Sequence, residues 1–131
     1  VGSLKPVGFV ELAPIYAVNQ TTTETATATT IVVPANSTIV GIDLITTVAW
    51  SSATTTYTIS VGTSSTSTEL VSATNANSVS RISLVPATLA QSTLWSNTGT
   101  SDIQIWVKSG AHSVTNGLGL LVVRYIQAIN A

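Results

Sequence analysis

Residues 39–50 read IVGIDLITTVAW. With a period of two, Val40, Ile42, Leu44, Thr46, Val48 and Trp50 fall on one face of an extended segment. Gly41, Asp43, Ile45, Thr47 and Ala49 fall on the other. The first set is the expected core face, with Trp50 inside it, and Asp43 is expected to point away from the core. Valine, isoleucine and threonine are stiff at χ1 and suit a pleated surface better than a helix. This is the strongest strand of the chain.

The same reading extends in both directions. Upstream, Ile31-Val32-Val33 runs into Pro34-Ala35-Asn36-Ser37, a turn signal. Residues 19–30, NQTTTETATATT, have no periodic apolar face and read either as a linker or as an exposed Thr-rich strand. Residues 1–18 carry Pro6 and Pro14 among apolar residues, which suits an extended arm or edge strand. Downstream, Tyr57, Ile59 and Val61 alternate with polar residues as in a half-buried strand. A short strand is expected over 69–73 and another over 79–85, ended by Pro86. Leu89, Leu94 and Trp95 fall in a stretch read as irregular, and no segment reads as a convincing helix. Residues 102–108 alternate with Ile103, Ile105 and Val107 inward. Residues 118–127 form the last strand, apolar on both faces, and so central or covered by a partner. Seven or eight short strands with turns roughly every ten residues predict an all-β chain, an antiparallel β-sandwich or jelly roll. The expected division is an extended N-terminal arm and Thr-rich segment over 1–29 and a sandwich over 30–131.

Composition agrees and excludes several functions. The chain has 131 residues, one domain's worth, of which 44% are hydrophobic and 7% charged, with a net charge of −1. Ordinary soluble domains carry about 25% charged residues. Serine and threonine replace them at about 30% of the chain. Nucleic-acid binding needs a basic stripe, and a membrane-surface protein needs a polybasic one; neither is present. No apolar run approaches the roughly 18 residues of a membrane helix. There is no cysteine, hence no disulfide and no thiolate site. No basic segment followed by an apolar run opens the chain, so no secretory signal is expected.

Catalytic chemistry finds no foothold. Glu11, Glu24, Asp43, Glu69 and Asp102 are the five acids, none paired locally or in a catalytic spacing. Asp43 and Glu69 are read as solubility and edge-protecting charges. His112 stands alone in a loop, too few ligands for zinc. Gly117-Leu118-Gly119 lacks the third glycine and the helix of a dinucleotide fingerprint. No enzyme activity, catalytic residue, metal or cofactor is expected. Asn19-Gln20-Thr21 and Asn36-Ser37-Thr38 match the glycosylation acceptor pattern, which matters only in a secreted protein.

The apolar residues without a place in the core are more telling. Trp106 shares a face with Asp102, Gln104 and Lys108, so it either packs on a loop of its own chain or marks a contact surface. Leu120 and Val122 lie on the second apolar face of the last strand. With Val7, Phe9, Val10, Leu12, Ile15 and Tyr16 of the arm, they are the candidate interface residues. So much apolar surface with so few charges points to life inside an assembly.

The order IVVPANSTIVGIDLITTVAW (31–50), YTISVGTSS (57–65) and GLGLLVVRYIQ (117–127) is similar to small β-sandwich virion proteins of tailed bacteriophages. These are capsid decoration (cement) proteins and related head or tail accessory proteins. The resemblance rests on the Pro34–Asn36 turn, the strand ending at Val61–Thr63 and the closing Arg124-Tyr125, and spans roughly residues 30–127. It implies a structural subunit that binds and stabilises the outer capsid lattice as a homo-oligomer, often a trimer, with the major capsid protein as its partner. Nucleic acid and membrane are not expected partners. Two other classes stay open: an extracellular filament or adhesin subunit assembling by strand donation, and a carbohydrate-binding tail-fibre module using Trp106 and Trp95.

Overall fold

The computed structural model describes residues 10–20, 25–50, 58–76, 79–109 and 117–127. The strands are β1 (Ile15–Asn19), β2 (Thr27–Val33), β3 (Ser37–Val48), β4 (Thr58–Gly62), β5 (Val71–Asn75), β6 (Arg81–Leu84), β7 (Ile103–Ser109) and β8 (Leu118–Gln127); one helix, α1 (Leu89–Ser96), separates β6 from β7. They form two four-stranded antiparallel sheets, β1-β8-β3-β6 and β2-β7-β4-β5, here sheets A and B. The all-β sandwich of eight strands is thus the observed architecture.

The pairings are nested. β1 pairs with β8, β2 with β7, β3 with β6 and β4 with β5. The chain therefore runs out through four strands, turns at β4–β5, and returns alongside itself. β3–β8 and β4–β7 contacts then stitch each sheet together. Between the sheets lie Ile31, Val33, Ile42, Leu44, Ile59, Val61, Leu84, Ile105, Leu121 and Val123, all buried. Each apolar side chain so removed from water contributes about 1.5–3 kcal/mol.

Strand β8 has the bounds the alternation gave, and Ile105 and Val107 of β7 point inward as expected. The central strand departs from strict alternation. A register shift between Ile39 and Gly41 buries Ile39 and turns Val40 outward. A second, between Thr46 and Val48, does the same to Val48. Ile42, Leu44, Thr46 and Trp50 keep the expected core face; Val40 and Val48 do not, because each bulge inserts a residue and inverts the parity. The short strand expected over 69–73 is shifted to β5, and the Thr-rich stretch becomes a strand from Thr27 onward. Its threonines have a use: at the β2–β7 register shift the Thr29 hydroxyl donates to the Ile105 carbonyl at 2.8 Å.

The expectation of no helix is corrected by α1. Thr88 caps it by accepting from the Gln91 N–H at 3.1 Å, and the Gln91 side chain accepts in return from the Thr88 N–H at 3.1 Å. Trp50 is buried just beyond β3, and a Cβ on Gly117 would stand 2.6 Å from its indole. The Gly117-Leu118-Gly119 pair thus makes room for a tryptophan. Segments expected in the arm over 1–29 are structural strands: residues 15–19 belong to sheet A and residues 27–29 to sheet B.

Candidate assembly surface

The outward face of sheet A is built from the side chains that alternate away from the core. The register sets Ile15 beside Val122, Val122 beside Asp43, and Asp43 beside Ser83. The next row is Ala17, Leu120, Ile45 and Arg81. An apolar stripe over β1 and β8 therefore meets an ionic one over β3 and β6.

The ionic stripe is a connected chain of four side chains. Arg81 Nη2 lies 2.8 Å from Asp43 Oδ2, Arg124 Nε lies 3.3 Å from the same oxygen, and Arg124 Nη1 lies 3.3 Å from Glu11 Oε1. It links the segment before β1 to β8, β3 and the edge strand β6. Asp43 does sit on the face away from the core, but its side chain is only 3% exposed, covered by the two guanidinium groups. It is a buried ionic anchor and not a solvated surface charge. Burial pushes its carboxyl up; the Arg81 hydrogen bond, the charges of Arg124 and Arg81 and the Ser83 hydroxyl outweigh that and hold it below its ordinary value. Gly41 pairs with Arg124, and a Cβ there would overlap the guanidinium. A bare backbone at that one position lets the arginine cross β3 to reach Asp43.

Glu69 is likewise internally engaged. Burial raises its carboxyl, but the hydroxyls of Ser64 and Thr66, with the Glu69 and Thr68 N–H groups, bring it below the ordinary value. Thr66 Oγ1 donates at 2.7 Å and the Thr68 N–H at 3.0 Å, closing the loop after β4. Asp102 accepts from the Ala35 N–H at 2.9 Å and braces the Pro34–Asn36 turn.

The candidate interface residues divide. Val10, Leu12 and Ile15 are exposed along the β1 side, Ile15 at 57%. Tyr16 packs against the core. Leu120 is half-buried and Val122 buried on the outward face of sheet A, where the register joins them to Ile15. Trp106 is half-buried on the outward face of the other sheet, between Ala28 and Gly62 in register. Trp95 packs against the core and donates its Nε1–H to the Leu70 carbonyl at 2.9 Å. Val7, Phe9, Glu24 and His112 lie outside the described residues. A second exposed apolar patch, missed in the sequence, is a shallow groove on α1 formed by Leu89, Ala90, Thr93, Leu94 and Asn97. The ionic chain was missed as well: Arg124 and Asp43 each fall on an outward face by alternation, but their adjacency depends on strand order, which periodicity does not report.

No protein-family model matches this sequence, and no curated protein does. In structure the chain is similar to a chain of a solved assembly described as the cyanophage Pam1 capsid asymmetric unit. The two are 18% identical, with a TM-score of 0.68, over 98% of this chain and 92% of the other. What is shared at that identity is the fold, and it is shared over nearly the whole length of both chains.

Proposed function

We propose that this chain is a non-enzymatic structural protein of a phage virion, a decoration subunit fastened to the outer surface of the capsid. The observation that carries the reading is the likeness along almost the entire chain to a chain taken from a phage capsid unit. The nested strand order supports a jelly roll, an architecture used by capsid proteins. The resemblance of the strand motifs to phage decoration proteins points the same way.

The mechanism is mechanical. A rigid two-sheet body presents apolar stripes to the major capsid protein and to copies of itself, each buried at about 25 cal/mol per Å². Many modest contacts across a lattice hold by avidity. Residues 15–16, part of the arm read as a strand to be donated, are paired with β8 of their own chain, so any contact they make with another subunit uses the opposite edge. The test is co-assembly with the major capsid protein encoded in the same genome. Co-sedimentation with assembled particles, and loss of particle resistance to heat when the chain is omitted, are expected. A chain left wholly in the supernatant contradicts the reading.

A further inference from the structure

We propose that the outward edge of β1 is the contact surface for a second copy of this chain, joined by antiparallel β1–β1 pairing about a two-fold axis. The backbone geometry comes first. The Leu12 N–H donates to the Tyr125 carbonyl and the Tyr125 N–H to Leu12, both at 2.9 Å; the Val123 N–H donates to the Pro14 carbonyl at 3.2 Å and the Gln20 N–H to the Gly117 carbonyl at 2.8 Å. Even-numbered residues therefore turn their N–H and C=O groups toward β8. By alternation, Ala13, Ile15, Ala17 and Asn19 turn theirs outward. Pro14 faces β8, where its missing N–H removes one ladder hydrogen bond but leaves the outward pairing groups of β1 intact.

The other edges are less open. The segment entering β5 is tied to α1, by Gln91 to the Thr68 carbonyl and the Ser72 hydroxyl and by Trp95 to the Leu70 carbonyl. β6 has four residues and carries Arg81. β2 is broken by a register shift, a device that turns an edge away from partners. Among the described residues nothing pairs with the outward edge of β1, and beside it opens a cleft lined by Tyr16, Ala17, Val18, Asn19, Thr27 and Val107.

Its composition selects the occupant. Two-fold antiparallel pairing sets this segment against its own copy, so a lone charge in it would face a residue that offers no counter-charge. Residues 12–19, LAPIYAVN, carry none, and Glu11 just before them is held by Arg124. With Tyr16 at the axis, the outward pairs are Ile15 with Ala17 of the second copy and Ala13 with Asn19, large against small in each case. All four exposed N–H groups then gain a carbonyl, and Ile15 leaves the solvent. The result is one eight-stranded sheet running across both copies. A two-fold contact of this kind joins a trimer only through a second, separate surface. The pairing is a property of the chain alone and holds whether or not the virion reading does.

Light scattering on the intact chain, from micromolar to millimolar concentration, is expected to show a mass of twice 13.5 kDa. Ala17→Lys is expected to reduce it to a single chain with unchanged far-UV circular dichroism. Mixing Ile15→Lys with Ala17→Glu is expected to restore the pair, since the two substitutions face each other. Isotope-filtered NMR on mixed labelled and unlabelled wild-type chains is expected to show Ile15 against Ala17 of another copy. A wild-type chain that stays single, a mass of three chains, a pair indifferent to Ala17→Lys, or filtered spectra without that contact each overturns the proposal.

Discussion

The two flanks of this sandwich deal with their unfinished hydrogen bonds in opposite ways. At the β5 flank, α1 ties down the segment that enters the strand: Gln91 donates to the Thr68 carbonyl at 2.8 Å and the Ser72 hydroxyl at 2.9 Å, and accepts from the Ala87 and Thr88 N–H groups. One buried glutamine thus satisfies four backbone or hydroxyl groups. At the β1 flank the strand is anchored from within, by β8, by the Gln20–Gly117 pair and by the Glu11–Arg124 link, while no strand among the described residues pairs with its outer edge. A chain with nine formal charges has few side chains with which to guard an edge. It spends a helix on one flank, and on the other leaves pairing groups for a partner.

The comparison is open to breaking, starting with the residue on which the inner anchoring rests. Trp50→Ala empties the site walled by Gly117 and Gly119 and is expected to cost about 3–5 kcal/mol in urea unfolding. Gln91→Leu leaves the groups at the β5 flank without partners and is expected to cost about 2–4 kcal/mol. If that loss proves negligible, α1 is not what ties that flank down.

Asp43→Asn removes the centre of the ionic chain and is expected to cost about 1–3 kcal/mol at neutral pH. Its pH dependence has a definite sign. The folded carboxyl lies below its unfolded value of about 3.9, so its stabilisation is complete above that value and is lost as pH falls through the lowered folded one. The variant is expected to show a shallower acid limb in unfolding midpoint against pH, with the remaining slope from Glu69, whose carboxyl is also held low. Smallest of all, Ala17→Lys at the open flank is expected to change the stability of the single chain by less than about 0.5 kcal/mol, because the site is exposed and its backbone groups face away from β8. The two flanks thus separate cleanly: one carries stability, the other association.

Much of this was legible in the residues. Period-two alternation found β8, β7 and the middle of β3, since a sheet with one buried face must repeat its apolar side chains at every second position. It failed at Val40 and Val48, where bulges invert the parity without any marker in side-chain type. It also failed over α1, whose composition, LAQSTLWS, has little apolar periodicity. The signal there was the Thr88–Gln91 spacing of a capping box. The outward faces of Asp43 and Arg124 were readable, but their contact was not, because residues 81 positions apart in sequence become neighbours only where β8 lies beside β3. Leu120 and Val122 share an apolar face by alternation, but that their neighbours are Ala17 and Ile15 rather than Trp106, which lies on the other sheet, follows from strand order and register alone.

Residue-resolved amide exchange along β1 addresses the open flank most directly. In dilute solution the Ile15 and Ala17 amides are expected to exchange rapidly while those of Tyr16 and Val18, turned to β8, stay protected; at high concentration, or on the particle, all four become slow. Ile15 and Ala17 amides that are already protected in a dilute single chain would contradict the account.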